Sequence, residues 1–451
     1  MAATTSAVKE LQRLCVSPPP GSVASATIEL SFFDVIWLIV HPVKRLFFFH
    51  LPVSTDDFRD SHFPALTEAL SLALKIFYPL AGTLTHSPDD PDDPIICYVD
   101  GDSVPLTLAE SNGDFARLSG DQMRDVEELH PLVPALPEQE DPERKPLLAL
   151  QVTLFPGSGV CIGITVHHSV ADGSSSIRFM KSWASIFKAG GDTTVVKPLP
   201  SFDRSVVGEL QQLRRDFLDY IKRIEIPESS NNPVAERVPV GRVVLATFVL
   251  TRFQIQKLRD LVSSGGRDVG PRPSTFVLTL TYTWLCLIKA RGLSERKSVY
   301  CGFAADFRTR LRPQVPDTFF GNCIGAIFAE GRTTDLTRGD GLAAGSEVIQ
   351  RAIREVADEP MRDAGFWIHK FINLRSERLV SVAGSPRIRV YETDFGWGAP
   401  RKVEIMSILD GGAISLAESR DEPGGVEIGL GGLQPEVELF ASFFEEGLRC
   451  P

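Results

Sequence analysis

The sequence predicts an α/β protein of two domains. Its 451 residues, 43% of them apolar, exceed what one hydrophobic core usually serves. Short apolar runs of strand character alternate with stretches of helical period along most of the chain. Between about residues 190 and 239 that patterning lapses, with Gly, Pro and Thr on either side of a polar helix expected over Val207–Ile224. The expected division is residues 1–189, a crossover at 190–239, and residues 240–451.

In chain order, Phe33–Val40 reads as a loop or short helix and Arg45–His50 as a strand. Leu66, Leu70, Leu74 and Phe77 mark one face of a helix that must stop before Pro79. Tyr78-Pro79-Leu80-Ala81-Gly82 leads into a strand, and Ile95–Val99 is another. Asp121–Glu143 mixes prolines and acids and should cross the surface irregularly. Leu147–Leu154 and Val160–Val166 flank Pro156-Gly157-Ser158-Gly159, a hairpin signal. Ser174–Lys188 carries Ile177, Met180, Trp183, Ala184 and Phe187 at helical spacing, with Ser174, Ser175 or Ser176 as its cap. Beyond the crossover, Val243–Leu250 and Val299–Phe303 read as strands and Phe253–Val262 as a short helix. Ser274 should cap a long buried helix reaching about Ala290. Ile388–Tyr391, Val403–Leu409 and Gly425–Leu430 read as strands, and Glu438–Glu446 as a closing helix.

The chemistry is concentrated in Val166-His167-His168-Ser169-Val170-Ala171-Asp172-Gly173, a strand end, a turn and a helix start. Successive side chains of a strand point to opposite faces, so the two histidines should do different jobs. His168 continues the face of Ile162, Ile164 and Val166. An imidazole there suits a general base near neutral pH. Asp172 either contacts that imidazole or turns away to anchor the loop through an arginine. Two adjacent histidines on opposite faces are a poor metal site, and no Cys/His cluster completes one. No GxSxG elbow is present, and the cysteines lie in apolar runs without an adjacent base.

His168-Ser169-Val170-Ala171-Asp172-Gly173, together with Asp394-Phe395-Gly396-Trp397-Gly398, resembles the HxxxDG and DFGWG motifs of the plant BAHD acyl-CoA-dependent acyltransferases. The match runs from Ser31-Phe32-Phe33-Asp34 almost to the end. It includes Tyr78–Gly82 and Phe319-Phe320-Gly321-Asn322-Cys323, where Phe319 stands for the family's usual tyrosine. The resemblance implies two similar-sized domains like chloramphenicol acetyltransferase, each a mixed sheet flanked by helices, with a solvent channel between them. It also implies His168 and Asp172 as catalytic residues, and direct transfer from acyl-CoA without an acyl-enzyme. Asp394, Phe395 and Gly396 would then be structural, as would Arg308 or Arg310 pairing with Asp172. Trp397 and Gly398 would border the channel, where an indole N–H near the thioester could serve the oxyanion. The N-terminal segment and the FGNC segment are closest to the clade acting on flavonoid and phenolic glycosides. That places Phe33 and Asp34 at the acceptor, with Trp37 as packing, and makes malonyl-CoA the expected donor. Arg178 is the candidate for the malonyl carboxylate, because a guanidinium binds a carboxylate bidentately. Another acyl-CoA with an alcohol or amine acceptor, and a non-catalytic partner protein of the same fold, are the alternatives.

Charge and composition bound the partners. A net charge of −11 argues against a nucleic-acid binder. Against it, Arg252–Lys297 holds nine bases and three acids. Lys257, Arg272 and Ser274 are the residues expected on the phosphates of coenzyme A. The apolar stretch Phe32–Leu51 is broken by charges and is too short to span a bilayer. Seven dispersed cysteines without CxxC read as reduced. The expectation is a cytoplasmic monomer with acyl-CoA as co-substrate, no resident cofactor or metal, and no membrane or nucleic-acid partner.

Overall fold

The structure, a computed structural model, describes residues 8–138, 141, 143–208, 210–223, 241–264, 270–293, 297–410 and 413–449. Most of the expected crossover after Arg223, including Pro227–Glu236, lies outside the described residues, as do Arg267, Asp268, Glu295, Arg296 and Cys450.

Two large mixed sheets carry the fold. The first has six strands in the order Val8–Val16, Val104–Ser111, Leu148–Phe155, Gly159–Val166, Val43–His50, Lys402–Ile405. The second has seven, in the order Ile324–Arg332, Ser298–Asp306, Val380–Ala383, Ile414–Glu418, Val426–Leu433, Val243–Leu250, Arg124–Asp125. A small antiparallel sheet of four strands lies beside them. The expected hairpin forms with Gly159 opposite Phe155, and Gly163 lies between Leu46 and Gln151. Its two faces differ as the alternation requires. Val160, Ile162, Ile164 and Val166 enter the main core with the helices. On the other face, Thr165 donates to the Pro134 carbonyl. A Cβ at Gly163 would come within 2.2 Å of the Leu132 carbonyl oxygen, so only glycine lets that segment lie flat on the sheet.

Helix Gly173–Lys188 docks on helix Phe63–Ile76, and the buried Trp183 indole donates to the Leu66 carbonyl at 3.1 Å. The Phe63–Ile76 helix stops ahead of Tyr78-Pro79, as proline requires. Ser274 caps Thr275–Ala290 by accepting from the Val277 N–H. Three expectations fail here, the first being the strand expected over Val403–Leu409, which ends at Ile405 and passes into a 3-10 turn at Met406–Asp410. Asp172, not a serine, caps Gly173–Lys188, because its carboxylate accepts from the Ser175 N–H. Ile388–Tyr391 is not a strand but part of two 3-10 turns, with Arg389 between them in the left-handed region at φ 58.

The sheets trade strands across the chain. Lys402–Ile405 pairs with Val43–His50, while Arg124–Asp125 pairs with Val243–Leu250. The expected surface crossing at Asp121–Glu143 therefore delivers a wholly buried Arg124. Its guanidinium donates to Glu404 at 2.6 Å and to the Leu118 and Gln122 carbonyls. Lys402 continues the network to Asp121 at 2.9 Å and Glu427 at 3.0 Å, and the Tyr391 hydroxyl donates to Glu427. Among the described residues no helix is long and apolar enough to cross a membrane.

Removing one partner of a buried ion pair leaves the other charge unpaired. Arg124→Met should therefore lower the unfolding free energy by about 3–5 kcal/mol in urea denaturation. An unchanged midpoint would mean that the traded strands are held without this pair.

Candidate active site

His168 lies just beyond the end of strand Gly159–Val166 and is half-buried. Its imidazole stacks on Trp37, with ring centroids 3.8 Å apart and planes 8° from parallel. Its Nδ1 is 3.2 Å from Asn322 Oδ1. Burial lowers its pKa to about 4, against the opposing effect of Asp172, and Arg45 adds to the lowering. His167 is buried beside it, contacts the Ser169 hydroxyl through Nδ1, and is also lowered to about 4 by burial. The two rings thus have separate surroundings, as their alternation predicts.

Asp172 turns away from the imidazole. One oxygen accepts from the Ser175 N–H at 2.9 Å; the other accepts from the Cys323 N–H at 3.2 Å and meets Arg308 Nη1 at 2.8 Å. Burial alone would raise this carboxyl, but Arg308 and the two N–H donors hold it below the usual range. Arg308 also donates to the Ser175 hydroxyl and the Gly321 carbonyl. Of the two candidate arginines only Arg308 therefore takes Asp172; Arg310 donates to the Asp306 carbonyl. Phe319, in the position of the usual tyrosine, lies between two guanidiniums, 5.3 Å from Arg204 and 5.7 Å from Arg308.

Behind the imidazole lies a second buried ion pair. Asp34 accepts from the Ser31 hydroxyl at 2.7 Å, from Arg204 Nε at 3.0 Å, and from Asn322 Nδ2 at 2.9 Å. Asp34 and Phe33 are fully buried, and Phe33 packs against Phe307 and Trp367. Neither presents a surface to an acceptor, so that expectation is corrected: both are structural. The residue of that segment which reaches the imidazole is Trp37, expected only to pack. Its signal was its place three residues beyond Asp34, one helical turn on. Asn322 and Arg45 were also missed. Arg45 follows Lys44 at the start of a strand, is buried, and donates to the Ser176 hydroxyl at 2.9 Å, and its place directly before the apolar run Leu46-Phe47-Phe48 was the available clue.

The DFGWG loop lies at the other end of helix Gly173–Lys188. Asp394 pairs with Lys188 at 2.7 Å and accepts from the Gly396 and Gly398 N–H groups. Both glycines have positive φ, 88° and 87°, a backbone that other residues adopt only with strain. Phe395 is buried against Trp183, and Trp397 packs on Phe49, Phe187 and Phe395. The helix spans 16 residues, and a rise of about 1.5 Å per residue puts Lys188 about 24 Å from Asp172. Trp397 and Gly398 are therefore too far from His168 to donate to an oxyanion there, which corrects that expectation.

Arg272 and Ser274 line a cleft of about 900 Å³ with Arg252, Arg259 and the largely exposed Phe253. Lys257 points elsewhere, donating to the Leu448 carbonyl of the closing helix at 3.3 Å. Arg178 lines a second cleft of about 400 Å³ with Lys181, Lys197 and Arg387. Its guanidinium donates to the Asp317, Thr318 and Pro198 carbonyls.

If the DFGWG loop is structural, Trp397→Ala should cost about 2 kcal/mol of stability, below the full cost of a buried aromatic because the ring is partly exposed. Turnover by the folded fraction should stay near normal. A large loss of kcat with unchanged stability would return Trp397 to the reacting groups.

The profile of a family described as the transferase family matches residues 8–446. Phenolic glucoside malonyltransferase 2 of Arabidopsis thaliana is 38% identical, over 96% of this chain and 98% of its own length. Malonyl-CoA:anthocyanidin 5-O-glucoside-6''-O-malonyltransferase of the same plant is also 38% identical, covering 98% and 99%. The crystal structure of vinorine synthase superposes with a TM-score of 0.66 at 22% identity, over 96% of both chains, which shows a shared fold. The two mixed sheets, the HxxxDG turn and these likenesses agree: the chain belongs to the BAHD transferase family and is an acyl-CoA-dependent acyltransferase.

Proposed function

We propose that the chain transfers a malonyl group from malonyl-CoA to a hydroxyl of a phenolic or flavonoid glycoside, with His168 as general base. The observation that carries this reading is the setting of His168. The residue is half-buried, its ring gripped on one face by Trp37 and at Nδ1 by Asn322. The two malonyltransferase relatives support the choice of donor and acceptor.

The imidazole takes the hydroxyl proton as the oxygen attacks the thioester carbonyl, then returns it to the departing thiolate. The distance of Trp397 leaves backbone N–H groups to receive the oxyanion. Asp172 acts through the loop it shares with Arg308 and Cys323, as a positioning residue. Transfer is direct. Cys323 adjoins the site, but burial pushes its thiol up to about 12, so it stays neutral and a poor nucleophile.

Arg252, Arg259, Arg272 and Ser274 suit the phosphates of coenzyme A, because the cleft collects cations in an acidic chain. Arg178 suits the malonyl carboxylate: its cleft adds Lys181, Lys197 and Arg387, and no acid lines it among the described residues.

His168→Ala should remove acyl transfer, by about 10²-fold or more, while leaving the unfolding transition in place. Near-normal kcat would refute the assigned base. Because its pKa is lowered, His168 stays neutral down to about pH 5, and kcat/KM should fall only as pH approaches about 4. An acid limb near 6.5 would contradict this. Malonyl-CoA, acetyl-CoA and coumaroyl-CoA tested against a mixed phenolic-glycoside extract, read by mass shift, should give malonyl products first. Arg178→Ala should raise the KM for malonyl-CoA more than that for acetyl-CoA, and equal changes would remove Arg178 from the donor site.

A further inference from the structure

We infer that Arg45, a guanidinium buried without a carboxylate of its own, is a specificity-determining residue that favours an acyl group carrying a negative charge. The inference rests on the malonyl reading and adds a residue to it. Three arginines are buried among the described residues, Arg45, Arg124 and Arg308. Arg124 meets Glu404, and Arg308 meets Asp172. Arg45 pairs with no carboxylate among the described residues. Its guanidinium makes one hydrogen bond, from Nη1 to the Ser176 hydroxyl, and its solvent-shielded Nε has no partner. A buried charge left unpaired is costly, and interiors normally give it a counter-charge. Burial lowers the pKa of Arg45 to about 10, and the opposing pull of Asp172 does not restore it. At neutral pH the group is still a cation.

Its place indicates what supplies the missing charge. Arg45 lies opposite Ile164 across the strand pair, so its side chain leaves the sheet on the face of Ile164 and Val166 and reaches the start of helix Gly173–Lys188. A Cβ on Gly173 would stand 3.4 Å from Arg45 Nη2. The first turn of a helix carries a partial positive charge, so the cation sits at the unfavourable end of the dipole. Asp172, whose charge it feels, is already held by Arg308, Ser175 and Cys323. The same point on Gly173 is 3.1 Å from Ile388 Cδ1, and Ile388 lines the cleft of Arg178, Lys181, Lys197 and Arg387. Arg45 therefore stands behind the cleft wall, one side chain from its space. Of the cations in that wall, Lys181 is engaged by Glu392, and Arg178 is tied to three carbonyls. The charge of Arg45 is also felt at His168. In malonyl-CoA one methylene separates the carboxylate from the reacting carbonyl, so its counter-charge must lie near the histidine. The phosphates of coenzyme A are a pantetheine arm away. A carboxylate entering the cleft supplies the negative charge that the chain withholds from Arg45, and a dry protein wall screens that attraction weakly. An acetyl group brings no such charge.

The test compares the binding of malonyl-CoA and acetyl-CoA to the full chain by titration calorimetry at pH 7, with no acceptor present. The native chain should bind malonyl-CoA the more tightly. Arg45→Met keeps an unbranched side chain and removes the charge. It should weaken malonyl-CoA about tenfold and acetyl-CoA less than about twofold. Its urea midpoint should hold or rise, the opposite of Arg124→Met, because no carboxylate is left unpaired. Arg45→Lys should keep the preference for malonyl-CoA. Should Arg45→Met not fold, Arg45→Gln serves, since it can still donate to Ser176 without the charge. Failure of both uncharged variants to fold overturns the inference, because the cation would then be holding the structure. An undiminished preference in the uncharged variant, or an equal loss for both esters, also overturns it and leaves the malonyl reading standing. A native chain that binds the two esters equally refutes the malonyl reading, and the role of Arg45 with it.

Discussion

The pairing of Asp172 with Arg308 is the constraint on which the site depends. It joins the first turn of a helix from the front half of the chain to the loop after strand Ser298–Asp306 in the back half. Three roles meet in one carboxylate. It caps the helix through Ser175, holds the Cys323 N–H, and neutralises a buried guanidinium. Such a charge-assisted contact is among the stronger hydrogen bonds a protein makes, and it is shielded from water here. Without it, Asn322 and Trp37 would have no fixed histidine to grip.

The same logic recurs away from the site. Arg124 with Glu404, and Lys402 with Glu427, are buried where each half lends a strand to the other's sheet. A hydrophobic seam alone tolerates slippage, whereas buried charges must keep their partners and so specify register. The candidate site needs that precision because the contact between His168 and Asn322 joins residues 154 apart in the chain. At the far end of the catalytic helix, the DFGWG turn ties Lys188 and an aromatic cluster to the same helix. The helix is thus pinned at both ends by motifs that lie far apart in the sequence.

The elements were legible where local pattern suffices. Leu66, Leu70 and Leu74 gave a helix that proline ends, and the Pro156–Gly159 turn gave the hairpin. The two histidines have the separate contacts that strand alternation, a local rule, implies. Ile388–Tyr391 misled because its apolar alternation was that of a strand, while the left-handed Arg389 breaks it into turns. Asp121–Glu143 misled because prolines and acids signal surface, yet a single arginine within it finds a buried carboxylate.

By itself the sequence determined the family, the α/β class and the segment that holds the candidate histidine, and it narrowed the partner of the loop aspartate to the imidazole or one of two arginines. Those are properties of short segments, or of motifs whose residue types leave few other uses. Only the tertiary structure decided that Arg308 rather than Arg310 makes that pair, that Asp34 is a buried anchor, that Trp397 stands a helix length from the imidazole, and that Asn322 and Trp37 hold the ring. Each of these depends on which distant segments the sheets bring together, and a hydrogen bond is sensitive to tenths of an ångström that residue type and spacing do not encode.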